Sequence, residues 1–219
     1  MSNHPEYPIE YKTKSVRFFG RDFFVDENVL IPRLETEFLV RRARQYLQDP
    51  KYLFHNIIDI GTGSGIVGLS LCDFALPTVL VDISQEALQG AKKNAKKLFP
   101  EAEYISFLQN NLIENIKIPN NTLLVANLPY VKKNDFENMS DDTMFEPSLA
   151  LFGGEKTGFE LYEKLFFLLS KQNPVRSMGI FEFGFDQKNI AREVLERYNW
   201  KYAFFSDHAG IERFVEVWF

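Results

Sequence analysis

Asn56-Ile57-Ile58-Asp59-Ile60-Gly61-Thr62-Gly63-Ser64-Gly65 is the stretch on which the fold turns. Its first half is apolar and β-branched and reads as a buried strand. The alternating glycines that follow let the backbone turn sharply and approach a ligand closely. A helical pattern over Ser64–Phe74 comes next, so the amides of that helix's N-terminus would face whatever the loop holds. A tight strand–helix turn with no ligand is the alternative that such a loop leaves open.

Strands and helices alternate outward from this unit. Thr78–Val81 reads as a strand. Ser84–Leu98 reads as a helix, with Ser84 as N-cap and Pro100 just past its end. Tyr104–Leu108 and Leu123–Ala126 are further strands, and residues 131–155 form a long polar segment without periodicity, of the kind that often serves as a lid or clamp. Phe159–Leu169 reads as a helix, Met178–Phe183 as a strand and Lys188–Tyr198 as a helix. Tyr202–Ser206 and Arg213–Trp218 close the chain as an antiparallel pair. The pattern predicts an α/β fold, a mainly parallel sheet with helices on both faces and an antiparallel last strand.

Upstream of Asn56, residues 1–14 are polar and read as a loosely held arm. Val16–Phe19 and Asp22–Val25 flank Gly20-Arg21 as a short hairpin. After Pro32, Phe38, Leu39, Ala43, Tyr46 and Leu47 recur at helical spacing until Pro50. An arm and hairpin over residues 1–30 are expected to precede one domain over residues 31–219.

Composition narrows the function. The 219 residues are 45% hydrophobic, enough for a large core, and 22 are Phe, so an aromatic-rich interior is expected. A net charge of −5 argues against charge-driven nucleic-acid binding. One cysteine, Cys72, excludes an internal disulfide and a cysteine-based zinc cluster, and its apolar setting reads as a buried, inert thiol. His4, His55 and His208 lack metal-ligand spacing, and no metal is expected. Nothing resembles a signal peptide or a membrane span. A cytoplasmic monomer is the expectation.

Two strand ends carry chemistry. Asp82 ends the strand after the glycine loop, where its carboxylate can accept two ribose hydroxyls. Asn127-Leu128-Pro129-Tyr130 ends the run Asn121–Ala126. There an amide oxygen and backbone carbonyls can accept N–H bonds from a flat, nitrogen-bearing group, with a ring stacking on its face. For the bare tetrapeptide a proline-terminated strand with a core tyrosine is the better explanation, so the rest of the chain has to decide. Gly63–Gly68 also fits G-x-G-x-x-G, which admits a nicotinamide cofactor.

The context Asp59-x-Gly61-Thr62-Gly63-x-Gly65 resembles the S-adenosylmethionine loop of class I methyltransferases, with Asp59 toward the methionine end and Asp82 at the ribose. Three further stretches resemble the HemK/PrmC family, protein-(glutamine-N5) methyltransferases acting on peptide-chain release factors. Val29–Glu37 is similar to its I-P-R-P-E-T-E signature, Phe145–Gly154 to its E-P-x-x-A-L-x-G-G segment, and Phe181–Gln187 to its E-x-G-x-x-Q. Asp207–Arg213 is similar to its closing D-x-x-G-x-x-R.

The resemblance implies a class I Rossmann-like fold and S-adenosylmethionine as cofactor, held by Asp59, Gly61, Thr62, Gly63, Gly65, Asp82, Asn111 and Asn127, with Arg33 as a further contact. It implies a catalytic role for Asn127, Pro129 and Tyr130, and a substrate surface of Asn127, Leu128, Pro129, Tyr130, Glu146 and Pro147. The acceptor would be a glutamine amide whose two N–H groups meet the Asn127 oxygen and a backbone carbonyl at Leu128 or Pro129. The partner would be a release factor in translation termination.

The chain departs from the family pattern at several places. Leu128 and Leu34 replace prolines, and Asn111 stands where an aspartate near the adenine is usual. Only 28 residues precede Val29, so a shortened member without the N-terminal helical domain is expected. Arg33, Glu35 and Glu37 read equally well as a solvated first turn of the helix after Pro32. An N6-adenine methyltransferase on RNA or DNA, a nicotinamide-dependent oxidoreductase and a cofactor-binding accessory protein are the competing readings.

Overall fold

The computed structural model describes residues 7–136 and 143–219. The chain enters through helix α1 (Ile9–Thr13) and an antiparallel hairpin, β1 (Val16–Phe18) and β2 (Arg21–Phe23). Residues 1–6 of the arm lie outside the described residues; from Tyr7 on it is anchored rather than loose, with Tyr11 buried and its hydroxyl donating to the Val29 carbonyl at 2.6 Å, while Tyr7 meets Phe145 edge-on. A polar sequence conceals this because the attachment rests on isolated aromatic rings. Phe18 and Phe23 of the hairpin belong to one of the main core clusters.

Helix α2 (Thr36–Gln48) leads to β3 (Asn56–Ile60), α3 (Ile66–Leu69), β4 (Thr78–Asp82), α4 (Gln85–Leu98), β5 (Ile105–Gln109) and β6 (Thr122–Asn127). The segment after β6 holds β7 (Val131–Lys132), α5 (Lys133–Phe136), α6 (Ser148–Leu151) and β8 (Phe152–Gly154). The aperiodic polar stretch therefore carries secondary structure of its own, with β7 paired parallel to β8. Part of it, residues 137–142, lies outside the described residues. Helix α7 (Glu160–Gln172), β9 (Met178–Glu182), α8 (Lys188–Leu195), β10 (Lys201–Ser206) and β11 (Glu212–Trp218) complete the chain.

Seven strands form the main sheet in the order β10-β11-β9-β6-β3-β4-β5. All are parallel except β11, which runs antiparallel to both β9 and β10, as the sequence pattern predicts. From β3 the chain builds outward to β4 and β5, then crosses back to lay β6 on β3's other side. That reversal opens a crevice beyond the carboxyl ends of β3 and β6.

Period-two alternation in the strands separates two cores. Ile57, Leu123 and Val125 pack with Leu39, Val40 and Leu69 on one face. Ile58, Leu124 and Ala126 pack with Tyr162, Leu165 and Phe166 on the other. Both cores hold aromatic rings; in the second, Phe166 lies 5.2 Å from Phe181 and Tyr162 lies 5.2 Å from Phe159, centroid to centroid.

The helix after the glycine loop differs from its sequence expectation. The helix over Ser64–Phe74 breaks after Leu69, where the Leu71 amide bonds the Gly68 carbonyl and the turn tightens to a 3₁₀ turn over Cys72–Phe74. The tightened turn presents Asp73 to Arg21 at 2.6 Å and Arg44 at 2.9 Å, which ties it to the hairpin and to α2. Cys72 is fully buried, and burial pushes its thiol up to about 12. Among the described residues, no helix is long and apolar enough to cross a membrane.

Candidate active site

The loop after β3 owes its shape to glycine. Gly61, Gly63 and Gly65 have φ of 70°, 54° and 83°, the left-handed region that side-chain-bearing residues resist. The amides of Gly61 and Thr62 both bond the Val81 carbonyl, at 2.8 and 2.9 Å, which folds the loop back over the end of β4. Asp59 is buried beneath it. Its Oδ2 accepts from the Thr62 hydroxyl at 2.6 Å and the Gly68 amide at 2.8 Å. Burial pushes the Asp59 carboxyl up to about 6 despite these bonds.

Asp82 ends β4 with its oxygens divided. Oδ2 accepts from the Gly63 amide at 2.8 Å and Oδ1 from the Ser84 amide at 2.9 Å. Burial raises its carboxyl, and these backbone donors pull the other way. Ser84 caps α4 as expected, accepting from the Ala87 amide. A residue not singled out from sequence, Asn94, sets the loop's position. It is fully buried in α4, donates to the Ser64 and Phe24 carbonyls at 2.8 and 2.9 Å, and accepts from the Phe24 amide at 2.6 Å. The signal for it was a lone amide on the alanine-rich, core-facing stripe of that helix.

Asn127 is the last residue of β6 and the register partner of Glu182 at the end of β9. Its Nδ2 donates to the Thr36 hydroxyl at 3.1 Å, which leaves Oδ1 as the open acceptor. Leu128 is buried, and its amide donates to the Tyr162 hydroxyl at 3.0 Å. Tyr162 in turn donates to the Glu182 carbonyl. Gln187 donates to the Tyr130 carbonyl at 2.9 Å and the Thr157 carbonyl at 3.0 Å. Gly153 lies so close beneath that a methyl group there would come within 2.5 Å of the Pro129 carbonyl. The strand end is thus fixed by backbone contacts on several sides. Tyr130 is half-buried, and desolvation pushes its phenol up to about 12, so it is neutral.

The Val29–Glu37 segment lies across the crevice. Glu146 holds it there, accepting from the Ile31 amide at 3.0 Å and from Arg33 Nη2 at 2.6 Å. Glu37 bonds the Phe19 amide at 3.0 Å and Arg41 at 2.9 Å, which is the structural alternative for that residue.

These elements enclose a chamber of about 320 Å³ and an adjoining recess of about 50 Å³. The two share Leu30, Gly61, Gly63 and Asn127. Asp82, Asn111, Leu128 and Pro129 line the chamber; Asp59, Thr62 and Arg33 line the recess. Gly65, Tyr130, Glu146 and Pro147 line neither. Val29, Leu149 and Phe152, which the sequence marked only as members of longer motifs, also line the chamber.

A doubly wound sheet with this glycine loop, an acid at the end of β4 and an Asn-x-Pro-Tyr strand end defines a class I, S-adenosylmethionine-dependent methyltransferase. The methyltransferase small domain model matches residues 36–152. The release factor glutamine methyltransferase of Clostridium acetobutylicum is 32% identical over 205 residues, covering 86% of this chain and 67% of that protein. That of Flavobacterium psychrophilum is 33% identical over 217 residues, covering 96% and 75%. Among solved structures, the human methyltransferase 10 domain containing protein superposes with a TM-score of 0.63 at 17% identity, over 91% of this chain and 88% of that one. The chain belongs to the release factor glutamine methyltransferase family and spans about two thirds to three quarters of the length of these two relatives.

The residues present fit S-adenosylmethionine. The chamber and recess meet at Asn127, Asp82 offers a carboxylate where a ribose diol would sit, and Arg33 puts a cation at the recess. Nothing in this arrangement favours a nicotinamide, and family membership sets the oxidoreductase alternative aside.

Proposed function

We propose that this chain methylates the side-chain amide nitrogen of a glutamine in a peptide-chain release factor. The observation that carries the reading is the Asn127 carboxamide. It stands where the two cavities meet, its nitrogen tied to Thr36 and its oxygen open. When bound, S-adenosylmethionine supplies an electrophilic methyl group. Asp82 would take the ribose, Asn111 the adenine edge, and Arg33 with the recess around Asp59 and Thr62 the methionine end.

A glutamine amide is a weak nucleophile because its nitrogen lone pair is delocalised into the carbonyl. Asn127 Oδ1 and the backbone carbonyl of Leu128 or Pro129 accept its two N–H bonds and hold the nitrogen in line. Fixing that geometry supplies several kcal/mol of the barrier. The same acceptors stabilise positive charge developing on the nitrogen. Tyr130, held through its carbonyl by Gln187, flanks the amide plane. The proton becomes acidic as the methyl arrives, so no tuned base is required. The reading places the activity in the cytoplasm, with the translation machinery.

The test is transfer of radiolabelled methyl to a purified release factor. Asn127→Ala abolishes turnover while cofactor affinity stays within a few-fold. Label entering RNA and not the release factor would favour an adenine acceptor instead.

A further inference from the structure

Glu182 is 1% exposed, and its Oε2 has no hydrogen-bond partner among the described residues. A buried carboxyl left this way is costly and calls for a role. It is the register partner of Asn127 across the β6–β9 ladder, and the Thr36 hydroxyl is one of the groups that favour its charged form. Thr36 is itself buried and takes the Nδ2 proton of Asn127 at 3.1 Å. Thr36 accepts from Asn127, so its own hydroxyl proton remains for the Glu182 carboxylate, and the three side chains stand in series behind the amide proposed to hold the methyl acceptor.

We propose that Glu182, acting through Thr36, is the positioning residue that fixes which end of the Asn127 carboxamide faces the methyl acceptor. The inference rests on the reading of Asn127 as the acceptor's grip. A carboxamide is nearly symmetric in shape, and half a turn exchanges its acceptor for its donor. Only the oxygen can receive a substrate N–H. Thr36 has one hydroxyl proton. When that proton goes to the Glu182 carboxylate, Thr36 offers Asn127 a lone pair, which only Nδ2 can use, and Oδ1 is turned to the acceptor. When Glu182 is protonated and donates to Thr36, the hydroxyl proton is released and can bind Oδ1 of the reversed amide. Ionised Glu182 thus selects the competent orientation.

The surroundings place this ionisation near neutrality. Burial dominates and pushes the carboxyl up to about 8. Arg213 on β11 opposes it, while Glu35 before α2 and Asp207 in the β10–β11 turn add to it. Tyr130 also faces Glu182 and is neutral.

The experiment measures methyl transfer to a purified release factor across this range. We expect kcat to rise as the pH passes through about 8, and Glu182→Gln to abolish that step. Thr36→Val lowers kcat about tenfold with little change in the acceptor's KM, and Thr36→Ser restores it. The proposal is overturned if Glu182→Gln keeps the pH step or if Thr36→Val turns over like the unaltered chain. If those variants behave normally while Asn127→Ala is dead, the positioning role alone fails; if Asn127→Ala is active, the grip itself is wrong. The relay is also readable without turnover. The Asn127 side-chain amide resonances should shift with a midpoint near that of Glu182 and stop doing so in Thr36→Val; resonances insensitive to pH count against it.

Discussion

Arg33 and Glu146, 113 residues apart in sequence, meet at 2.6 Å between Nη2 and Oε2. The Glu146 carboxylate also takes the Ile31 amide, so one buried acid draws the Val29–Arg33 segment down over the cavity. Two motifs that look independent in sequence are halves of one wall. Glu146→Ala leaves a backbone donor and a guanidinium without their acceptor. The expected cost is about 1–3 kcal/mol of stability, together with a drop of about tenfold in cofactor affinity as the wall loosens. Calorimetry with S-adenosylmethionine and thermal unfolding measure the two effects. A variant with unchanged affinity would show that the segment stays in place without its acid.

Asp82 has both oxygens bonded to amides of the loops it separates, Gly63 and Ser84. The same oxygens retain lone pairs for a ribose diol. Asp82→Ala removes the ligand acceptor and relaxes the glycine loop together, so cofactor affinity falls by about tenfold or more. Turnover at saturating cofactor falls much less than in Asn127→Ala. Equal affinity for S-adenosylmethionine before and after the change would exclude Asp82 as the ribose acceptor.

Asp59 carries a stability cost that pH exposes. Its carboxyl lies at about 6 in the folded chain against 3.8 as its ordinary value, because burial disfavours the charge. An acid raised on folding leaves stability intact below the unfolded value and erodes it as the pH rises through the folded one. Asp59→Asn removes the titration. At neutral pH the variant should be more stable by about 2–3 kcal/mol, and the gain should shrink toward zero near the unfolded value. Melting temperatures across that range decide it, at about 2–4 °C per kcal/mol for a chain of this size. A constant difference at every pH would mean that the carboxyl does not titrate as the geometry implies.

What the sequence revealed and what it hid follow one physical division. The β3 strand, the glycine loop, Asp82 and the Asn127 strand end are local: a run of branched residues, a glycine spacing or an acid at a strand's end defines each within a dozen positions. Thr36 and Tyr162 have no such local mark, and Asn94 shows only as a lone amide on a core-facing stripe. An amide inside a helix, a threonine at a helix start and a tyrosine in a Phe-rich helix gain their roles only when Phe24, Asn127 and Leu128 arrive from elsewhere in the chain. The broken helix after Gly65 has the same origin, since Asp73 is held by Arg21 and Arg44 from other elements. Glu146 was legible as part of a motif, but its partners were not.

Leu128, a departure from the family pattern that the sequence resembles, does two things that proline cannot. Its amide donates to the Tyr162 hydroxyl at 3.0 Å. Its side chain fills the space over Gly61, with Cδ2 only 2.7 Å from where a methyl on that glycine would stand. Proline at 128 removes the donor and shortens the side chain, so Leu128→Pro should cost about 2–3 kcal/mol through the lost bond and the void over the loop. Tyr162→Phe removes the same bond from the other side, along with the donation to the Glu182 carbonyl. The two changes should therefore not add. In the Leu128→Pro background, Tyr162→Phe should cost about 1 kcal/mol less than in the unaltered chain, which a double-mutant cycle in denaturant unfolding resolves. Strict additivity would mean that the Leu128–Tyr162 bond contributes nothing and that the leucine is held by its packing on Gly61 alone.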